Sequence, residues 1–256
     1  ITFDNYKVYS DTLNRSTPTA LSAARFALAG VCVGNYALFA GGVTDSVLSA
    51  IVDAYDTSLS RSTPQTLSVA REAPAGASNA NFAIFAGGYT ITWQSVVDAY
   101  SSSLVRYTPT SLPVTTSLPA GASVGNYALF AGGEIKSNVC TAAVTAYNTS
   151  LERSTPTELS VARGWLAGAS VGEYAVFAGG YTGSYSDVVD AYDTELTRST
   201  PTALSVAREK LAGASVGDYA LFAGGYTGSY SSVVDAYTTL TFLRIPITSG
   251  SKYKLN

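Results

Sequence analysis

No histidine and no methionine occur anywhere in the 256 residues. Without histidine the commonest general base and the commonest neutral metal ligand are missing, so acid–base and metal-assisted catalysis lose their usual residue. The cysteines are two, Cys32 and Cys140, far apart in the chain and in no nucleophile or zinc-binding motif. Two unpaired thiols are the expectation. Charge is scarce as well: 13% of residues are charged, the net charge is −3, and there is no basic run. Nucleic-acid binding through phosphates needs clustered Lys and Arg, so that class of partner is not expected. No apolar run approaches the ~20 residues of a membrane-crossing helix, and no membrane insertion is expected. The chain begins at Ile1 and reads as a piece of a longer protein with neighbouring domains, so a missing targeting signal carries no weight.

What the sequence has is repetition. Double glycines stand at Gly41-Gly42, Gly87-Gly88, Gly132-Gly133, Gly179-Gly180 and Gly224-Gly225, spaced by 46, 45, 47 and 45 residues. Each follows a short apolar run such as Tyr219–Ala223 and precedes a polar loop and a second apolar run that closes on Tyr55, Tyr100, Tyr147, Tyr192 or Tyr237. Thr-Pro pairs keep the same phase at Pro18, Pro64, Pro109, Pro156 and Pro201. Self-similarity at this period signals propeller blades or a solenoid. Four strands are expected per unit, exemplified by Leu211–Val216, Tyr219–Ala223, Ser232–Tyr237 and Leu196–Thr200. The stretch Pro201–Leu211 carries helix-start signals, but its counterparts contain Pro74, Pro113 and Pro119. Proline inside a helix costs ~3 kcal/mol, so an extended crossing is the better reading.

These units resemble the kelch repeat. The matching features are the apolar strand ending in Gly-Gly, as in Leu221–Gly225, the Ala-Tyr-Asp at Tyr55 and Tyr192, and an arginine before the next unit at Arg25, Arg71, Arg163 and Arg208. The repeat tryptophan is absent. Arginine stands near its place, at Arg15, Arg61, Arg106, Arg153 and Arg198. The units also look like repeats of large bacterial surface and phage tail-associated proteins. The resemblance covers roughly residues 5–240 and implies an all-β, kelch-like β-propeller of four-stranded blades as one domain over residues 1–256. Six blades are favoured, the last shared by Asn5–Tyr9 and Leu13–Thr17 from one end and Ile245–Thr248 and Lys252–Asn256 from the other. Five is the alternative.

Arg25, Arg71, Arg163 and Arg208 are matched by Asp53, Asp98, Asp190 and Asp235, and the third unit loses both partners, with Thr116 and Thr145 in their places. Joint loss points to a structural Arg–Asp pair in each unit, since the planar guanidinium can grip a carboxylate at two points. Asp187 and Asp190, close in sequence, read together as solvated surface. The loops after Gly-Gly vary while the frame stays fixed, as binding loops on a scaffold do. They carry Tyr89, Trp93, Tyr181, Tyr185, Tyr226 and Tyr230 among Gly and Ser. Such rings suit a sugar or a protein surface, and they equally suit the covering of blade edges. The expectation is a non-catalytic module binding a glycan or protein, with no cofactor or metal, in an extracellular, cell-surface or virion-associated setting. A purely structural spacer is the alternative, and a glycosidase-like enzyme the less favoured third.

Overall fold

The computed structural model describes residues 15–239. Every regular element among them is a β-strand. Sheet one contains Ala29–Val33, Tyr36–Ala40, Val52–Tyr55 and Arg61–Ser62, antiparallel and hydrogen-bonded in that order. Sheets two, three and four repeat the order, beginning at Ala75, Ala120 and Ala167. Sheet five shows three strands, Ala212–Val216, Tyr219–Ala223 and Val234–Thr238. The expected strands fall here with ends shifted by a residue or two. The fourth is shorter, only Arg198–Ser199 in the fourth unit. The crossing Pro201–Leu211 contains no helix. Asn5–Tyr9, Ile245–Thr248 and Lys252–Asn256 lie outside the described residues, as do Leu13 and Asn14, while Arg15–Thr17 form no strand.

The inner strands are built from Ala, Gly and Ser because sheets crowd there. A methyl group on Gly121 would collide with the Gly76 carbonyl, one on Gly168 with that of Gly121, and one on Gly213 with that of Gly168. Serines join the same edges: the Ser78, Ser123 and Ser170 amides donate to the hydroxyls of Ser123, Ser170 and Ser215 at 3.3, 3.0 and 2.9 Å. Farther out, the sheets pack face to face. Ala122, Val124, Leu129, Val144 and Ala146 of sheet three meet Ala175, Phe177 and Tyr192 of sheet four. The same two faces meet at the other junctions. Consecutive apolar residues in the second strand follow from this, because both sheet faces are covered. Among the described residues the last face has no such cover: Val216 and Val234 are 60% and 58% exposed, against 4% and 2% for Val171 and Val189.

Two fixtures lock the units to the crossings that lead into them, the first in four of the five units and the second in all five. Arg71 is buried and donates from Nη1 to Asp98 at 2.8 Å, from Nε to the Gly87 carbonyl at 2.8 Å and from Nη2 to the Phe85 carbonyl at 3.2 Å. Arg25, Arg163 and Arg208 reach Asp53, Asp190 and Asp235 at 2.7, 2.7 and 2.8 Å. Asp190 is fully buried, which corrects its reading as solvated surface; Asp187, three residues earlier, is exposed. The arginines standing near the tryptophan position join the same carboxylates, Arg61 at 3.3 Å, Arg106 at 3.5 Å and Arg198 at 2.9 Å. The second fixture is the repeat tyrosine. Tyr55, Tyr100, Tyr147, Tyr192 and Tyr237 each donate, at 2.7–2.9 Å, to the carbonyl of the residue after the repeat proline. Each also meets the repeat phenylalanine edge to face.

Candidate functional site

The double glycine shapes one end of this frame. The second glycine adopts φ of 99–113° in all five units, a region open to glycine and costly for other residues. In the first four units its N–H donates to the carbonyl at the next unit's arginine position, as in Gly42 to Arg71 at 2.9 Å and Gly180 to Arg208 at 2.9 Å. The chain then turns into a short hairpin. Tyr89 pairs with Trp93, Tyr181 with Tyr185 and Tyr226 with Tyr230. The hairpin in turn pairs with the residue just after the repeat arginine: Phe26 with Val43, Glu72 with Tyr89, Ser117 with Glu134, Gly164 with Tyr181 and Glu209 with Tyr226.

One residue farther on, the backbone is strained in every unit. Ala27, Ala73, Leu118, Trp165 and Lys210 hold φ between 49 and 56°. Non-glycine residues in this region cost on the order of 1–3 kcal/mol each, and such strain clusters at functional sites. The bends are also linked across units: the Ala73 amide donates to the Ala27 carbonyl at 2.9 Å, and Lys210 to Trp165 at 2.9 Å. Side chains at these positions therefore project from a backbone that neighbouring units hold in place.

A cavity of about 420 Å³ opens against the bends of four consecutive units. Glu72, Tyr89, Trp93, Leu118, Glu134 and Trp165 line it. The Trp165 indole N–H donates to Glu134 Oε1 at 3.2 Å, and Tyr89 and Trp93 meet edge to face with centroids 5.5 Å apart. Beside it the Lys210 ammonium stands 4.5 Å from the Trp165 ring centroid and 3.3 Å from Glu209. Four more rings lie in the hairpins of the fourth and fifth units. Tyr181, Tyr185, Tyr226 and Tyr230 form an unbroken edge-to-face series with centroids 5.8–6.2 Å apart. Tyr230 is 95% exposed, and a second recess of about 540 Å³ lies against it, Tyr226 and Lys210. Desolvation and then the neighbouring Tyr226 push the Tyr185 hydroxyl above its ordinary range. Burial likewise raises the Cys140 thiol, which donates to the Tyr181 carbonyl at 3.4 Å; Cys32 and Cys140 are both free.

The six loop aromatics thus fall into two groups, Tyr89 and Trp93 in the cavity and the four tyrosines in a ring series outside its lining. Glu72, Leu118, Glu134, Trp165 and Lys210 were not singled out from the sequence. For all but Glu134 the signal was available in the pair after each repeat arginine position: Phe26-Ala27, Glu72-Ala73, Ser117-Leu118, Gly164-Trp165 and Glu209-Lys210 are five different pairs. The aspartates paired with arginine lie inside the sheets, away from this lining.

No family model matches the chain, and no curated protein matches it. Among solved structures it is similar to that of YjhT, with a TM-score of 0.66 and 14% identity over 84% of this chain and 81% of the other. At that identity the likeness concerns the fold alone. Together with the repeated four-stranded antiparallel sheets it supports a propeller-like architecture.

Proposed function

We propose that the chain is a non-catalytic binding module, a kelch-like propeller that presents aromatic loops to a glycan or a protein. The gathering of Tyr89, Trp93 and Trp165 around one cavity, with a series of four tyrosines in the hairpins of the fourth and fifth units, carries this reading. Aromatic rings give large contact area at low entropic cost, and here Trp165 stands on a strained, cross-linked bend while Tyr89 pairs with the residue before another. The scarce charge and the Tyr, Ser and Thr of the loops suit an extracellular, cell-surface or virion-associated setting. Glycan-array and surface-capture binding is the test. Saturable binding lost on changing Trp93, Tyr185 and Tyr230 to Ala supports the module, and equal signals from variant and parent reject it.

The second reading is a spacer within a larger assembly. The hairpin pairing of the same rings against the lead-in segments favours it, because the rings then serve to cover sheet ends. The finer architectural proposal is a closed ring of six blades. The exposed Val216 and Val234 face of sheet five and the half-buried Phe39 and Tyr55 face of sheet one are the two faces that bury each other at the interior junctions. One further sheet between them would give each a partner.

A further inference from the structure

We infer that the cavity against Trp93 and Trp165 binds an organic cation, an alkylammonium group carried by a small amine or a lysine side chain. The inference rests on the binding-module reading and names the ligand chemistry of its aromatic-lined cavity.

Three observations converge. The lining pairs aromatic faces with carboxylates: Tyr89, Trp93 and Trp165 supply rings, Glu72 and Glu134 supply charge. Aromatic faces attract ammonium groups through their quadrupole, tryptophan most strongly, and desolvation strengthens the effect. The carboxylates also have capacity to spare. Glu134 accepts the Trp165 indole N–H through Oε1. Glu72 is half-buried, and among the described residues its side chain enters no hydrogen bond or ion pair. A partly desolvated carboxylate gains most from a cation that reaches it. Finally, the chain shows the interaction on the ring itself, since the Lys210 ammonium lies 4.5 Å from the Trp165 centroid. Lys210 is not part of the lining, and Glu209 offsets its charge at 3.3 Å. Lys136, in the hairpin of Glu134, is exposed and does not line the cavity. The two lining glutamates therefore set the sign of the site. A volume of about 420 Å³ fits a small ligand or one long side chain.

The chain has two tryptophans, and both line this cavity, so their emission reports on it. Tetramethylammonium, butylammonium and N-acetyl-lysine methylamide are titrated at constant ionic strength. The neutral isostere 3,3-dimethylbutan-1-ol and a neutral hexose are run beside them, and equilibrium dialysis gives a second readout. Saturable responses to the cations, at least tenfold stronger than to the neutral compounds, are expected. Glu72→Gln and Glu134→Gln each weaken them at least tenfold while the melting temperature holds. The order of butylammonium, lysine amide and tetramethylammonium tells which source of cation fits best. Equal responses to the neutral isostere, unchanged titration of Glu72→Gln, or no saturable response to any cation overturns the inference. Array binding that survives such a failure and still needs Tyr185 leaves the module reading standing; loss of both rejects both.

Discussion

At the scale of single residues, the buried arginine–aspartate pairs decide the most. A buried charge is expensive unless paired, and removing one partner strands the other at a cost of about 3–5 kcal/mol. Arg163→Ala and Asp190→Ala are each expected to destabilise by that amount, and the double variant by far less than the sum. A double-mutant cycle from denaturant melts checks this, and additive losses would reject the pair. Burial pushes the Asp190 carboxyl up, but Arg163, Arg198 and Ser160 outweigh burial and hold it below the ordinary range; Asp53 and Asp235 shift in the same direction. Their stabilisation is present above the unfolded carboxylate value of about 4 and is lost as pH falls below it. The buried tyrosines act at the other limit. Desolvation raises Tyr100, Tyr147 and Tyr192 and pushes Tyr237 up to about 12. Their contribution is complete below the unfolded value of about 10 and lost as pH rises beyond it. Melting temperature against pH should therefore fall below about pH 4 and above about pH 10; a flat alkaline limb contradicts the tyrosine account. The pairing was legible because Arg and Asp vanish together in the third unit. A further partner was not. Asp53, Asp98, Asp190 and Asp235 also accept the amides of Ser22, Ser68, Ser160 and Ser205. In the third unit that place is Pro113, which has no N–H to give.

At the scale of elements, the glycines divide into those that prevent collision and those that only relax a turn. Gly121 sits where an added methyl would meet a neighbouring inner strand, whereas Gly183 and Gly228 have nothing within 4 Å. Gly121→Ala is expected to cost about 3 kcal/mol or more through overpacking. Gly217→Ala, at a φ of 51° with nothing within 4 Å, should cost only the left-handed strain, about 1 kcal/mol. Equal thermal shifts for the two would refute the inner-strand contact. The third unit offers the reverse experiment. Thr116, Thr145 and Pro113 border a void of about 10 Å³ where other units bury arginine, room for about one water. Changing all three to Arg, Asp and Ser should raise the melting temperature, while Thr116→Arg alone should lower it by burying an unpaired charge. Strand positions were legible because apolar runs, Gly-Gly and proline recur in phase. The hairpin contacts were not, since the residue facing each loop comes from the crossing about seventeen residues before it.

At the scale of the whole molecule, the repeat announced a row of sheets, and the tryptophan-lined cavity remained invisible to any single unit. Its lining comes from four units, and each contributes a different set of side chains, so no motif spells it out. The open face of sheet five belongs to this scale. If a further sheet covers it, Val216→Asp and Val234→Asp each bury a charge and should lower the melting temperature strongly. Substitutions on an open face usually stay within about 0.5 kcal/mol, and that outcome would count against the closed ring.

The sameness of the junctions has an evolutionary corollary. Inserting or losing one whole unit leaves every remaining junction with the chemistry it had, so in-frame duplication faces no new interface to invent. Only curvature limits how many units a lineage can keep, while the pair after each arginine is free to diverge copy by copy.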